Sequence, residues 1–241
     1  MESSRRRATR RAIAVAAALS ALAAAAAVAD AAARTITRSQ APAAAAAISL
    51  RLSDLAGFTG QLNPVTAQER QQGDQLAACD GGVPESGALA LGQSSDFSPK
   101  TDPSSLTVSS STEILASAAL VAKDLAAVES QHGLACLGNE LKAALSSSLA
   151  KGTTVSLQGT RLPSVASGAD GSFALRFAAT LGVKQGSKTV KVTVNSDAIG
   201  FTYGQAEVEL NVIATGGAEP SASLERRLAA LLVARAKSAA G

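Results

Sequence analysis

The chain has 241 residues, a length that fits one domain with additional segments, and its formal net charge is +3. Five arginines lie within the first eleven residues, and removing residues 1–31 leaves 17 basic and 17 acidic residues. The remaining chain lacks the basic excess that neutralises nucleic-acid phosphates, so we expect no nucleic-acid partner. With no Trp, one Tyr and five Phe, the core must be built from Leu, Val, Ile and Ala.

The amino terminus has the order of features of an export signal. The arginines precede an uncharged run from Ala12 to Val28, and the small-residue sequence Ala29-Asp30-Ala31 follows. The run is shorter than the ~20 residues that span a membrane. We therefore predict a signal peptide over residues 1–31, with retention as a membrane anchor as the alternative. Arg10-Arg11 leaves the export route open, general or twin-arginine. The product is expected to be secreted or held in the cell envelope, and to touch a membrane only if the signal segment is uncleaved.

A low-complexity segment over residues 32–47 follows, with Pro42 before five consecutive alanines. Such a stretch buries too little surface to offset its ordering entropy, so it predicts a linker, helical in part. Residues 48–238 are then expected to form a single domain.

Within that domain, the first half alternates extended and helical patterns. Segments 58–65 and 89–94 have weak extended character, whereas 106–114 has the period-two alternation of a strand. Leucine and valine at spacings of three and four predict helices over 117–130 and 134–149, separated at Gly133. Lys123, Asp124 and Glu129 are expected on the solvated side of the first of these helices.

The second half predicts an antiparallel meander and a terminal helix. A short strand around Val155 and Leu157 comes before alternating strands over 173–183 and 190–194. A turn at 195–197 leads to a third strand over 199–212, where a β-bulge at 204–205 would keep the apolar face inward. A helix over 221–237 ends the domain. Helices flanking runs of antiparallel strands predict an α+β fold, with an antiparallel sheet covered by helices.

Only two cysteines occur, Cys79 and Cys136. An even pair outside the cytoplasm predicts a disulfide, and closing so long a loop stabilises a fold by roughly 4 kcal/mol. A metal site would need more ligands, because the single histidine, His132, is only four residues before Cys136. We therefore predict no metal and no cofactor.

Catalytic patterns are scarce. A Ser-His-acid triad would have to use His132, yet the chain has no Gly-x-Ser-x-Gly elbow. It also has no Gly-x-Gly-x-x-Gly or Gly-x-x-x-x-Gly-Lys-Ser/Thr phosphate-binding loop. We predict no catalytic residues and interpret His132 as a polar residue at a helix terminus.

The segment SLTVSSSTEILASAALVAKDLAAVESQHGLACLGNELKAAL, residues 105–145, combines a strand, a helix and a cysteine that begins another helix. It resembles the extracellular sensor-like domains of actinobacterial Ser/Thr kinases and related exported proteins. The resemblance spans residues 48–237 and implies a PsbP-like α/β/α sandwich in which Cys79 pairs with Cys136. The chain departs from that pattern because it has no second cysteine pair and has Gln-His-Gly-Leu at 131–134, where a Trp is common.

Three functions follow from these observations. The first is an exported, non-catalytic, sensor-like module that binds a small apolar ligand or an envelope protein. The second is a structural cell-envelope protein without a specific ligand, and the third is a hydrolase. A deep cavity between the sheet and the helices would favour the first, whereas a filled core would favour the second.

Overall fold

The computed structural model describes residues 35–149, 153–185 and 188–240, and the predicted signal peptide lies outside these residues. The described part contains five α-helices: α1 (Ala41–Ile48), α2 (Ala67–Asp80), α3 (Ala118–Glu129), α4 (Gln131–Ser148) and α5 (Ala222–Ala240). It also contains eight strands: β1 (Phe58–Gln61), β2 (Ala90–Gln93), β3 (Asp96–Pro99), β4 (Leu106–Ile114), β5 (Thr154–Arg161), β6 (Gly171–Gln185), β7 (Lys188–Tyr203) and β8 (Ala206–Thr215). None of these helices is long and apolar enough to cross a membrane.

The eight strands form one antiparallel sheet in the order β1-β3-β4-β8-β7-β6-β5, and β2 also pairs with β4. Strands β6, β7 and β8 are hydrogen-bonded neighbours in sequence order, which is the predicted meander. The chain therefore has the expected α+β architecture. Strand β4 is joined to the meander through its pairing with β8 along its whole length, from Leu106 opposite Ala214 to Ile114 opposite Ala206.

Helices cover both faces of the sheet, because side chains on successive strand residues point to opposite faces. On β6, Ala174 belongs to the core under α1 and α5, together with Ile199 and Phe201 of β7. The alternate residues of β6 form a second core against α3 and α4: Phe173, Leu175 and Phe177. The fold thus has three layers, with helices on either side of the sheet.

Residues 35–47 of the segment predicted as a linker belong to the domain, so the linker prediction is wrong for these residues, although the segment is helical in part as expected. Four residues of α1 are buried: Ala41, Ala44, Ala45 and Ile48. The small side chains of its alanines let the helix lie directly on β2, where a Cβ at Gly92 would be only 2.8 Å from the carbonyl oxygen of Ala45. Gln205 holds the chain just before α1, because it accepts a hydrogen bond from the Ile36 amide at 2.6 Å and donates to the Ile36 carbonyl. The domain accordingly extends from residue 35.

The meander also differs in detail from its prediction. Strand β7 runs unbroken from Lys188 to Tyr203, so the turn expected at 195–197 is absent. The polar residues there find partners elsewhere: Asn195 donates to the Ala218 carbonyl at 2.7 Å, and Asp197 accepts from Arg176. The chain turns at 204–205 instead, where Gly204 has a φ of 56°, and this turn replaces the expected bulge.

The break between α3 and α4 lies at Ser130 and not at Gly133. Ser130 caps α4, since its hydroxyl accepts a hydrogen bond from the Gly133 amide at 2.8 Å. Gly133 is buried in the first turn of α4, where a Cβ would lie 2.2 Å from the Ala127 carbonyl oxygen. Glycine at this position therefore allows the two helices to pack closely.

Candidate functional site

The two cysteines join helices α2 and α4. Cys79 is in the last turn of α2, Cys136 is buried in α4, and their sulfur atoms are 2.00 Å apart with a Cα–Cα distance of 6.0 Å. The Cα–Cα distance lies in the range that a disulfide requires. The bridge fixes α2 beside α4, and α2 thereby becomes one wall of the space above the sheet.

His132 lies beside this bridge on the first turn of α4. Its Nε2 is 2.9 Å from the Cys79 carbonyl oxygen and 3.8 Å from the sulfur of Cys136. The ligand atoms of Cys79, Cys136 and His132 lie within 4.8 Å of one another, as in a metal site. Both sulfurs are used in the bridge, however, so the thiolates that a zinc site needs are not free. His132 is exposed and contacts the disulfide.

A cleft lies between the sheet and helices α2, α3 and α4. It consists of two adjoining cavities of about 250 and 280 Å³. They share five lining residues: Gly73, Leu76, Leu137, Ala198 and Glu209. We refer to these joined cavities as the cleft. None of the described residues that line it is a lysine, an arginine or a histidine.

One end of the cleft is apolar. Leu76 of α2, Leu137 and Leu141 of α4 and Phe177 of β6 line this end. The aromatic ring of Phe177 is buried in the core under α3 and α4, whereas the three leucines are only half-buried. This end therefore offers a surface for an apolar group that the protein itself does not fill.

The other end is acidic, and sheet pairing brings its carboxyl groups together. Glu113 of β4 stands directly opposite Glu207 of β8, and Glu209 stands opposite Ser111 two residues along. Asp80 of α2, Asp124 of α3 and Glu85, in the short 3₁₀ helix Glu85–Gly87, complete the group. Like charges directly opposite each other destabilise a sheet, so this pairing opposes the ionisation of both carboxyls.

Burial and mutual repulsion change the protonation of these carboxyls. Burial, and after it the neighbouring carboxylates, raise the pKa of Glu207 to about 10 and that of Glu113 to about 8. Burial also raises the pKa of Asp124, Glu209 and Glu85 above the ordinary carboxyl value. In the empty cleft at neutral pH, Glu207 and Glu113 are therefore protonated.

The hydrogen bonds at this end leave one acceptor without a donor. Asp124 accepts from the Val83 amide and also shares a hydrogen bond with Glu207. Glu209 accepts from the side-chain amide of Asn211 at 2.6 Å. Oε2 of Glu207, by contrast, is buried and has no hydrogen-bond partner in the described structure. A buried acceptor left unpaired costs roughly 1–3 kcal/mol.

A second ionic group lies on the opposite face of the sheet. Arg176 of β6 donates to both oxygens of Asp197 of β7, at 2.7 and 2.6 Å, and its third nitrogen lies 2.6 Å from Glu219. Glu225 of α5 is buried beside them, and burial raises its pKa to about 7. The pair of Arg176 and Asp197 lies beneath α5, and Glu219 closes it from the exposed side, so we interpret this group as structural.

The sequence did not predict that the residues of the acidic end form a site. Asp124 was expected in solvent, yet it is half-buried and faces the sheet. Glu113, Glu207 and Glu209 alternate with apolar residues on their strands, a pattern that equally suits a solvated sheet face. The sequence held only an indirect indication of this site. If helices cover both faces of the sheet, acidic residues on either face become buried.

The fold and the cleft together define an α+β domain with helices on both faces of an antiparallel sheet and a two-ended cleft under one of them. No protein-family model and no curated protein matches the chain. Among solved structures, the chain is similar to the extracellular domain of PknH from Mycobacterium tuberculosis, at 14% sequence identity. The match covers 82% of this chain and 97% of that domain, with a TM-score of 0.48. A likeness of this size bears on neither ligand nor function.

Proposed function

We propose that the protein is an exported, non-catalytic, sensor-like module that binds a small ligand in the cleft. The observation that carries this proposal is the pair of adjoining cavities, of about 250 and 280 Å³, between the sheet and α2, α3 and α4. Ligand sites in proteins are mainly apolar clefts with a few polar groups, and the cavity lined by Leu141 and Phe177 has that composition, whereas the adjoining cavity is rich in carboxyl groups. A protein whose role is only structural would gain stability by filling this space.

The position of His132 supports a binding role over a catalytic one. A hydrolytic triad would need the histidine within hydrogen-bond reach of a serine and a carboxylate. The hydrogen bonds of His132 instead involve the Cys79 carbonyl and the Cys136 sulfur. The disulfide holds α2, and with it Leu76, in place over the sheet. We infer that the bridge serves to keep the cleft open and fixed in shape.

The experiment compares cleft binding in two variants that carry the same substitution. Ala198 lies on β7 and lines both cavities, so Ala198→Leu places a larger side chain in the cleft. Ala122→Leu makes the same change at an exposed position of α3 and serves as the control. Nile red, a neutral dye whose fluorescence rises in apolar surroundings, reports occupancy. We expect tenfold weaker dye binding in Ala198→Leu and unchanged binding in Ala122→Leu.

The natural ligand can be sought in parallel. The chain purified from cell envelopes is analysed by native mass spectrometry, and the small molecules that leave it on denaturation are identified. A bound mass present in the native chain and in Ala122→Leu, but absent from Ala198→Leu, supports the proposal. Equal dye binding in all three proteins, together with no bound mass, would favour the structural role.

A further inference from the structure

We propose that the ligand of the cleft is an amphipathic amine, whose ammonium group lies among the carboxyls of β4 and β8 and whose apolar part lies along α2 and α4. This inference rests on the proposed binding function and adds the chemical class of the ligand. It is carried by the two different ends of the cleft, which are joined through Leu76, Leu137 and Glu209.

The unpaired acceptor indicates what the ligand must bring. Oε2 of Glu207 is buried and has no donor, although it faces Glu113 across the β4–β8 pair and shares its cleft end with Asp124 and Glu85. The chain places no lysine, arginine or histidine on the described cleft lining to serve it. Lys123 is nearby, but it donates to the Gly82 carbonyl at 2.9 Å. An ammonium group brings three donors and a positive charge, so it can pair with this oxygen and replace the protons that Glu207 and Glu113 hold.

Other ligand classes fit this cleft less well. An anion would be repelled by the carboxyls. A wholly apolar ligand would leave the Glu207 oxygen unpaired and remove it further from water. Calcium would need six to eight oxygens at 2.3–2.6 Å. Among the described residues, the ligand atoms that converge within 4.8 Å are those of Cys79, His132 and Cys136, and the cleft carboxyls do not form such a group.

The length of the cleft accounts for the apolar part. The half-buried Leu76 and Leu137 line both cavities, and Leu141 extends this apolar surface into the cavity that Glu113 and Glu207 do not line. A short alkyl chain attached to the amine would cover them and remove their apolar surface from water. The two ends together favour one molecule with both characters over a small inorganic ion.

The proposal also predicts that ligand binding changes the protonation of the cleft carboxyls. The carboxyl groups that act directly on Glu207 are Asp124 on α3, Glu113 on β4 and Glu209 on β8. Asp80 of α2 and Glu85 line the same cavity, while Asp74 of α2 acts on Glu113 and Lys123 of α3 acts on Asp124. Burial raises the pKa of Glu207 and Glu113, so both hold a proton in the empty cleft at neutral pH. A bound ammonium favours the carboxylate, and binding then releases protons. Affinity should therefore increase as the pH rises from 6 to 8, where an alkylamine remains charged.

The test uses three probes that differ only in their polar end: n-octylammonium, n-octanol and octanoate. Their binding to the full chain is measured by isothermal titration calorimetry at pH 6 and pH 8. We expect octylammonium to bind at least tenfold more tightly than octanol, with octanoate the weakest. The preference for octylammonium should grow with pH, and proton release should appear as a buffer-dependent heat.

Two glutamine variants locate the effect. Glu207→Gln should lower the affinity for octylammonium at least tenfold and the affinity for octanol much less. Glu129→Gln, at an exposed position of α3 away from the cleft, should leave all three affinities unchanged. Octanol binding serves as the check that the variant has folded with its cleft intact.

Each other result overturns a defined part of the inference. Equal binding of octanol and octylammonium, or an octylammonium affinity unaffected by Glu207→Gln, overturns the amine while leaving a binding cleft. The amine is also overturned if octylammonium does not bind while Nile red does. If Ala198→Leu then abolishes the Nile red binding, the binding cleft itself stands. If neither the octyl probes nor Nile red bind, the proposed function fails together with the inference.

Discussion

Replacing Glu207 by glutamine should stabilise the protein, and the gain should grow with pH. In the unfolded chain Glu207 ionises near its ordinary pKa of 4.5, whereas in the folded protein burial raises its pKa to about 10. The folded state therefore holds a proton that the unfolded state has lost. Each pH unit above 4.5 then costs the fold about 1.4 kcal/mol, which amounts to about 3 kcal/mol at pH 7.

The sign follows from this difference in bound protons. Below pH 4.5 both states are protonated, so the wild-type side chain carries no penalty. Between pH 4.5 and about 10 the stability contribution of Glu207 falls steadily. Glutamine cannot ionise, keeps the shape of the side chain and can donate a hydrogen bond to Asp124. Glu207→Gln should therefore be nearly neutral at pH 4 and more stable than wild type by up to about 3 kcal/mol at pH 7.

Urea denaturation at pH 4, 6 and 8 measures this difference. The control is Glu129→Gln, which makes the same change at an exposed position of α3 and should shift stability by no more than ~0.5 kcal/mol at each pH. The reasoning is refuted if Glu207→Gln is less stable than wild type at pH 8. It is also refuted if the difference between the two proteins is the same at pH 4 and pH 8, because burial of an ionisable group would then not be its cause.

Further predictions concern other parts of the chain. Cys79→Ser or Cys136→Ser should lower the free energy of unfolding by ~2–5 kcal/mol under non-reducing conditions, and thiol titration of the native exported protein should find no free thiol. His132→Ala should change stability by no more than ~0.5 kcal/mol and leave Nile red binding unaltered; a large loss of any activity would restore the hydrolase interpretation. Deleting residues 35–48 should prevent cooperative unfolding, since it removes α1 from the core; a cooperative transition of wild-type midpoint would contradict the packing described. Mass spectrometry of exported protein should find a chain that begins near Ala32, and an intact amino terminus would show that the signal is not cleaved there.

The strands could be predicted where burial alternates cleanly. Strand β4 has the predicted bounds of 106–114, because every second residue from Val108 to Ile114 is buried on the α1 and α5 face. The same rule failed at 195–197, where polar residues imitate a turn. Asn195 and Asp197 are tolerated inside β7 because Ala218 and Arg176 satisfy them, and neither partner is adjacent in sequence. Only the folded arrangement brings these groups together.

Two helices show different reasons why a helix is hard to predict from the sequence. Helix α2 has a capping box at its start, in which Thr66 and Glu69 exchange hydrogen bonds, and this pattern is visible in the sequence. Its apolar periodicity is weak because Ala77 is its single buried residue. Helix α1 is the reverse case, because its alanine-rich sequence resembles a linker. Its close packing depends on Gly92, whose lack of a side chain lets the helix backbone approach β2. The cleft acids depend on both faces of the sheet being covered, a property of the tertiary fold.

The pairing of β4 with β8 also bears on when the domain can form during synthesis and export. Residues 106–114 hydrogen-bond to residues 206–214, so the chain must extend to the end of the meander before β4 has that neighbour. Loop closure over such a separation is slow and is completed late. A chain that is synthesised or exported amino terminus first would therefore lack the pairing of β4 with β8 until nearly all of it had emerged. If the segment before residue 32 directs export, this topology keeps the polypeptide unfolded while it crosses the membrane. Folding of the domain is then delayed until the chain has crossed.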